Sequence, residues 1–274
     1  MGQIVSESGQ IRLAIAGAAT PSGCEALRAL SQWHEAIFVL ALDHHEFGKS
    51  CRDLAGARAV NLVIEEKLGA ALEREPCDVL IDFSPPAAAL AHGLSALKRG
   101  VSPILNAGFS APELRELREE SKSSGLPVLV APHLSLSEVL ILRFAKWAGR
   151  WMSDLEVLDV HPDHRQQAAS PMARALAEAI AEGWAERELA QSRGIDPERN
   201  RTWEDVRLHV LRLKGAHSRQ EIRCGTSGEA LSVCNEPKDA SAIVEGLKLA
   251  ISQIGKLSGL TVGLEKLLFV ADKP

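Results

Sequence analysis

Short apolar runs alternate with amphipathic segments through the first half of the chain. The runs have the length of buried strands, and the segments between them have the spacing of helices. The predicted strands are residues 11–16, 37–42, 60–64, 77–82, 101–105 and 126–131, and the predicted helices are 25–33, 65–75, 87–99 and 111–124. Repeated strand–helix units in this order predict an α/β fold with a doubly wound parallel sheet, which binds ligands at the carboxyl ends of its strands.

The second half follows a different pattern. Its predicted elements are helices at 137–152 and 170–189 and strands at 155–160, 206–214, 218–223 and 230–233. Ser137 is the expected N-cap of the first of these helices. We expect a smaller α+β domain with an open, mainly antiparallel sheet, and open sheets are often closed by pairing between subunits.

The chain then returns to its first domain. After a break at 237–239, a helix at 240–257 and an apolar element at 259–268 are expected to pack back onto the parallel sheet. The first domain is therefore predicted to comprise residues 1–131 and 239–274, and the second domain residues 132–238.

Composition limits the possible functions. With 274 residues, 46% of them apolar, the chain can bury a sizeable core, and its formal net charge of −5 argues against a nucleic-acid-binding surface. No stretch approaches eighteen apolar residues, so a membrane role is not expected. Nothing at the start resembles an export signal, and we expect a cytoplasmic protein.

The cysteine and tyrosine contents exclude further classes. Five cysteines are scattered without a CxxC pair, which predicts buried, reduced thiols rather than a disulfide framework or a zinc site. The chain contains no Tyr, which excludes the nicotinamide-dependent reductases that transfer a proton through a Tyr–Lys pair.

The first turn has features of a Rossmann-type dinucleotide site. Gly17 follows the first strand, Pro21 suits the first turn of a helix, and Gly23 lies close behind. The free N–H groups of such a helix face a pyrophosphate, and Asp43, after the next strand, is placed to bind an adenosine ribose. The middle of the turn lacks the usual glycine, so an ordinary strand–helix turn is the alternative.

Unusual residues follow each later strand of the predicted parallel sheet. They are Phe83 and Ser84, the segment from Asn106 to Phe109, and Pro132 with His133. The carboxyl ends of parallel strands lie at one edge, so these turns together predict a cleft. If a nicotinamide cofactor binds there, Phe83 and Asn106 are expected to line its nicotinamide half.

The densest group of titratable side chains follows the strand at 155–160. It contains His161, Asp163, His164 and Arg165 within five residues. Histidine is the side chain that most often moves protons near neutral pH, so the group is a candidate catalytic site. A solvated loop is the alternative.

The order of these motifs resembles the dihydrodipicolinate reductase family over nearly the whole chain. The resemblance is carried by Gly17, Asp43, the run Asp82-Phe83-Ser84-Pro85-Pro86, the run Asn106-Ala107-Gly108-Phe109, and the group that begins at His161. It implies reduction of a cyclic imine-type substrate with NADH or NADPH. It also implies a homotetramer assembled through the sheet of the second domain.

The resemblance assigns a set of residues to the cofactor. These are Gly17, Thr20, Gly23, Asp43, His44, Phe83, Ser84, Asn106, Ala107 and Ala131. Thr20 and Ser22 depart from the small-residue pattern of the family's phosphate turn. His44 stands where members that accept the 2′-phosphate of NADPH often have a basic residue, which favours NADH and leaves NADPH open.

The substrate motif departs further from the family. The resemblance makes His161, His164 and Arg165 the catalytic candidates and His133, Arg165 and Ser170 the substrate-binding candidates. Arg165 replaces the family's proton-donating Lys and cannot give up a proton at neutral pH, so we expect it to anchor a carboxylate while His161 or His164 supplies the proton. Pro171 and Met172 replace a Gly-Thr pair that holds a substrate carboxylate in the family, which favours a different anionic imine or carbonyl substrate.

Two functions follow from these residues. The first is an NAD(P)H-dependent reductase, which the retained His161 and His164 favour. The second is a non-catalytic family member with a regulatory or assembly role, which the lost Lys and Gly-Thr favour. A polyol dehydrogenase of similar fold would carry a Glu-Lys-Pro motif after residue 105, and that motif is absent.

Overall fold

The computed structural model describes residues 9–56, 59–162, 169–186 and 201–269. They form two compact units, of which the second is Leu136–Asp239 and the first contains the chain before and after it. Within these ranges, no helix is long and apolar enough to cross a membrane.

The secondary structure alternates as the sequence predicts. The strands are β1 (Ile11–Ala16), β2 (Ala36–Leu42), β3 (Val79–Asp82), β4 (Ser102–Leu105), β5 (Val128–Val130), β6 (Asp154–His161), β7 (Arg201–Trp203), β8 (Val206–Arg212), β9 (Arg219–Gly225), β10 (Ala230–Asn235) and β11 (Leu260–Val262). The helices are α1 (Pro21–Leu30), α2 (Cys51–Ala55), α3 (Leu68–Arg74), α4 (Pro86–Leu97), α5 (Ala111–Ser124), α6 (Leu136–Gly149), α7 (Pro171–Glu186), α8 (Val244–Ile254) and α9 (Glu265–Leu268).

A parallel sheet forms the centre of the first unit. Its strand order is β11-β5-β4-β3-β1-β2, and every neighbouring pair is parallel. Every residue of β3, β4 and β5 is buried, which explains why these strands are almost entirely apolar. The strand order reverses beside β1, and ligands of doubly wound sheets bind above such a reversal. The predicted fold class is confirmed.

The last elements return to this sheet as expected. β11 pairs with β5, and α8 packs against the segment after β5 so closely that a Cβ on Gly246 would lie 1.8 Å from the carbonyl oxygen of Leu134. The predicted helix at 240–257 is divided: Ala240–Ile243 is a 3-10 turn, and α8 ends at Ile254.

Two local predictions are wrong. Residues 60–64 form no strand, since only isolated bridges join Leu42 to Glu65 and Ser50 to Val63, and Val63 is 62% exposed. Ser137 is not an N-cap, because α6 begins one residue earlier. Pro21 lies in the first turn of α1 as expected, and Thr20 caps this helix.

The second unit is built on a mixed sheet. Its order is β10-β9-β6-β8-β7, in which only the β6–β8 pair is parallel among the described strands. Leu155 and Val157 of β6 and Ile222 of β9 form a buried core with Leu176 and Ile180 of α7. The mainly antiparallel sheet is confirmed, while the sequence pattern missed β7.

The helices α6 and α7 cross at two glycines. A Cβ on Gly183 would lie 2.2 Å from the carbonyl oxygen of Lys146, and a Cβ on Gly149 would lie 2.5 Å from that of Ile180. No side chain fits between the two backbones at this point. The crossing therefore fixes how the two helices cover the sheet.

All five cysteines are free. Burial raises the pKa of Cys51 to about 11 and that of Cys77 to about 12, so both thiols stay protonated at neutral pH. The prediction of buried thiols is wrong for Cys234, which is exposed, and Cys24 and Cys77 are only partly buried.

We expect Gly183→Ala to lower the free energy of unfolding by about 1–3 kcal/mol, because the new methyl group meets the backbone of α6. An alanine in an unobstructed helix has the opposite effect. Gly228→Ala is the control, since no atom lies within 4 Å of the position of its Cβ. Urea unfolding measures both, and equal stability of the two variants would contradict the crossing.

Candidate functional site

Two glycines shape the turn after β1. Gly17 has a φ of +67°, and a Cβ there would lie 2.8 Å from both the carbonyl carbon of Phe83 and the amide nitrogen of Ser84. A Cβ on Gly23 would lie 2.2 Å from the carbonyl oxygen of Gly17. The turn thus packs directly on α1 and on the turn after β3. Dinucleotide-binding folds require glycines for the same close approach.

Thr20 caps α1 through its own side chain. Its hydroxyl donates to the carbonyl oxygen of Gly17 at 2.7 Å and accepts from the N–H of Gly23 at 3.0 Å. Pro21, the first helical residue, has no N–H. The turn is therefore held by its own side chain, and Pro21 and Gly23 offer no free N–H to an anion.

Asp43 connects this turn to the loop after β2. Its carboxylate accepts from the N–H of Ala19 at 3.0 Å, from that of His45 at 3.0 Å and from that of Glu46 at 3.3 Å. A carboxylate has about four acceptor positions, so one remains for a further donor. Asp43 can hold the loop and bind a hydroxyl group at the same time.

His44 lies beside Asp43 on the surface. Its side chain is 78% exposed, and its Nδ1 lies 3.6 Å from a carboxylate oxygen of Glu66. The ring meets that of His45 edge to face, with 5.3 Å between centroids. The loop after β2 therefore presents two adjacent imidazoles, and that of His44 lies beside the carboxylate of Glu66.

A buried carboxylate fixes the turn after β3. Asp82 is fully buried and accepts from the N–H of Ser84 at 2.7 Å, while its other oxygen lies 2.8 Å from Nδ1 of His92 in α4. Phe83, which lies between Asp82 and Ser84 in the sequence, is also buried. The sequence reasoning missed His92, although its position two turns into the helix after Asp82 could have indicated the pair.

Asn106 joins the ends of β3, β4 and β5. Its backbone N–H donates to the carbonyl oxygen of Asp82 at 2.9 Å, and its side-chain amide donates to that of Ala131 at 2.8 Å and that of Pro132 at 3.2 Å. Ala107 and Ala131 are buried. His133 is partly buried at the same edge. The structure thus brings the predicted cofactor residues to one edge of the parallel sheet.

A second buried carboxylate, Asp159 of β6, organises the other unit. It is fully buried and accepts from the N–H of Ser170 at 2.7 Å, from the hydroxyl of Ser170 at 2.9 Å and from the side-chain amide of Gln220 at 3.1 Å. Nε2 of His161 lies 2.7 Å from the same carboxylate, although the ring is not aligned for a regular hydrogen bond.

His161 is enclosed in this unit. It is 2% exposed, and its Nδ1 lies 3.3 Å from the hydroxyl of Ser218. Both ring nitrogens therefore face protein groups. The other two catalytic candidates, His164 and Arg165, lie outside the described residues.

Ser170 is the N-cap of α7. Its hydroxyl accepts from the N–H of Ala173 at 3.1 Å, and the residue is 6% exposed. Because its N–H and its hydroxyl hydrogen are both donated to Asp159, Ser170 has neither donor left for a ligand in this arrangement. Pro171 follows as the first residue of the helix.

The sequence pattern did not reveal the polar residues that continue this network. Gln220 is the register partner of Asp159 on one side and of Asn235 on the other. The amide of Asn235 donates to the side-chain oxygen of Gln220 at 3.4 Å. In the part of the chain that the structure describes, no group of three or more His, Cys, Asp or Glu side chains is arranged to hold a metal ion.

Comparison with known proteins finds matches to both halves of the chain. The model of the N-terminal part of dihydrodipicolinate reductase matches residues 11–134, and that of its C-terminal part matches residues 138–268. The 4-hydroxy-tetrahydrodipicolinate reductase of Moorella thermoacetica is 32% identical over 94% of this chain and 98% of its own. The enzyme of the same name from Bacillus pumilus is 29% identical over the same shares of the two chains.

Solved structures share the fold. Dipicolinate-bound dihydrodipicolinate reductase from Paenisporosarcina sp. TG-14 superimposes with a TM-score of 0.79 at 23% identity, covering 94% of this chain and 99% of the other. An amine dehydrogenase from Mycobacterium smegmatis reaches 0.63 at 12% identity, covering 95% and 96%. Since the two family models together match most of the chain, and a reductase from the family is 32% identical to it, the chain belongs to the dihydrodipicolinate reductase family.

Proposed function

We propose that this protein is an NAD(P)H-dependent reductase that acts on an anionic cyclic imine or a related carbonyl substrate. The observation that carries the proposal is the edge of the parallel sheet beside β1. There Gly17 packs on the turn of Phe83 and Ser84 without space for a Cβ, and Asp43 lies at the end of the neighbouring strand. Such a strand reversal, with glycines and a carboxylate, suits a nicotinamide dinucleotide.

The residues present fit this cofactor, which would supply the hydride. Asp43 would accept a hydrogen bond from the adenosine ribose through its remaining acceptor position. Phe83, Ser84, Asn106, Ala107 and Ala131 would line the nicotinamide half, with Asn106 keeping the strand ends in place. Thr20 and Pro21 leave fewer N–H groups for the pyrophosphate than a glycine-rich turn does, so we expect weak binding at this point.

NADH is the cofactor that the loop after β2 favours. A 2′-phosphate beside Asp43 would also face Glu66, which lies 3.6 Å from His44. Like charges repel, and His44 is uncharged unless protonated. NADPH is therefore expected to bind less tightly than NADH.

We assign the substrate half of the reaction to the second unit. Because His161 is 2% exposed between Asp159 and Ser218, it is better suited to positioning than to direct proton transfer. The proposed proton donor is then His164, with Arg165 as the anchor of a substrate carboxylate. Ser170 would support the site as the cap of α7.

Assembly follows from the family resemblance. We propose a homotetramer that forms through the sheet of the second unit. Two leucines at the end of β8 support this, since Leu211 is 44% exposed and Leu213 is 55% exposed. Exposed leucines on a sheet are commonly covered by a partner subunit.

A non-catalytic role is the second candidate. The self-capped turn at Thr20 favours it, because the N–H of Gly23 is already bound to a side chain. The presence of Arg165, where the resemblance expects a proton-donating Lys, also favours a non-catalytic role. A protein of this kind would retain the fold and have a regulatory or assembly function.

Titration of the purified protein with NADH and NADPH tests the proposal. We expect both to quench or shift fluorescence at saturation, with NADH bound more tightly, and we expect NADH oxidation in the presence of a cyclic imine that carries a carboxylate. Binding without turnover of any such imine would favour the non-catalytic role. No binding of either nucleotide would contradict both cofactor assignments.

We expect Asp43→Ala to weaken NADH binding about 10- to 100-fold, because a hydrogen bond to a charged group is lost. Glu73→Ala is the control, because this exposed carboxylate of α3 pairs with Arg99 and lies outside the proposed cofactor residues, so NADH binding should stay nearly unchanged. Isothermal titration calorimetry measures both affinities. Equal affinities in the two variants would remove Asp43 from the site.

We expect Asp159→Asn to lower the free energy of unfolding by about 3 kcal/mol, since it breaks a buried charge network. Glu156→Gln, on the opposite face of the same strand, is the control. Its carboxylate pairs with Arg207 and His209 in a partly exposed position, so the loss should stay below about 1 kcal/mol. Urea unfolding compares them, and a stable Asp159→Asn variant would show that the network is not structural.

A further inference from the structure

Arg212 lies beside His161 at the end of the second sheet. The two residues are register partners in the parallel pair of β6 and β8, and Leu213 N–H donates to the carbonyl oxygen of His161 at 3.1 Å. Side chains two residues apart in a strand share a face. Arg212 therefore shares its face with Leu208, which is buried in the core under α6 and α7.

The guanidinium of Arg212 has an unsatisfied donor. The residue is partly buried, and its Nη1 is buried without a hydrogen-bond partner among the residues that the structure describes. Leaving a donor of a charged group buried and unpaired is costly, so such a donor is expected to have a hydrogen-bond acceptor. Arg207, on the other face of the same strand, differs because its guanidinium pairs with Glu156.

The carboxylate of Asp159, two residues before His161 in β6, is held by other groups. It accepts two hydrogen bonds from Ser170 and one from Gln220, and His161 lies at 2.7 Å. Three of its roughly four acceptor positions are thus filled within this unit. Since Nη1 of Arg212 has no partner among the described residues, the positive charge of Arg212 is available to an external anion.

We propose that Arg212 binds a carboxylate of the substrate beside His161. The planar guanidinium donates two parallel hydrogen bonds to a carboxylate and keeps its charge at all relevant pH values. Asp159 orients the neighbouring His161 but does not neutralise Arg212. This inference rests on the proposed function and adds to it a binding residue in the second unit, separate from Arg165.

Binding of dipicolinate to the full-length protein tests the assignment. The probe is the ligand named with the Paenisporosarcina relative, and calorimetry gives its affinity for the wild type, Arg212→Met, Arg212→Lys and the control Arg207→Met. We expect the affinity for dipicolinate to fall about 10- to 100-fold in Arg212→Met and to stay unchanged in Arg207→Met. Arg212→Lys should lose less affinity, because it keeps the positive charge but not the planar guanidinium that donates two parallel hydrogen bonds.

Thermal unfolding without ligand supplies a readout that does not depend on binding. Arg212→Met is expected to melt at or above the temperature of the wild type, because it removes an unpaired buried donor. A clearly lower melting temperature for Arg212→Met, together with wild-type affinity in Arg212→Lys, would make Arg212 structural and overturn the assignment. So would a wild type that binds no dipicolinate.

The two proposals fail separately. NADH titration reports on the first unit and is measured on the same proteins. A protein that binds dipicolinate through Arg212 but binds no nucleotide would contradict the proposed function and support this inference. NADH binding together with normal dipicolinate binding by the Arg212 variants would support the proposed function and contradict the assignment of Arg212.

Discussion

The backbone contact between Gly17 and the turn at Phe83 and Ser84 is the constraint on which the first unit depends. With 2.8 Å between the position of a Cβ on Gly17 and two backbone atoms, no other residue fits without movement. The contact brings the ends of β1 and β3 together at the strand reversal. The other residues of the proposed cofactor site, from Asp43 to Ala131, follow strands that pair on either side of these two.

Both units use the same device at their strand ends. Asp82 and Asp159 are fully buried, each accepts a backbone N–H from the segment that follows its strand, and each lies beside a histidine. A buried carboxylate is stable only when its acceptor positions are filled. Each of these carboxylates therefore fixes the geometry of the segment whose N–H it accepts. In the first unit it orders the turn of Phe83, and in the second it orders the start of α7.

The sequence predicted the features that depend on neighbouring residues. Buried runs, Pro21 and the order of strands and helices are set locally, which is why the parallel sheet was predicted correctly and Asp43 was expected after its second strand. The strand predicted around Val63 does not form because no neighbouring strand pairs with it continuously. A local sequence pattern does not show which strands will pair. His92, Gln220 and Arg212 were missed in the sequence analysis for the same reason, because each is identified only by its contact or register pairing with a residue of another element.

The cap formed by Thr20 has a consequence for ligand exchange. Because this threonine closes the first turn of α1 through its own hydroxyl, the shape of the turn does not depend on contacts with a nucleotide. A preorganised loop loses little conformational entropy on binding. Arrival and departure of a nucleotide would then be governed by the contacts at its two ends, with no folding step at the pyrophosphate between them.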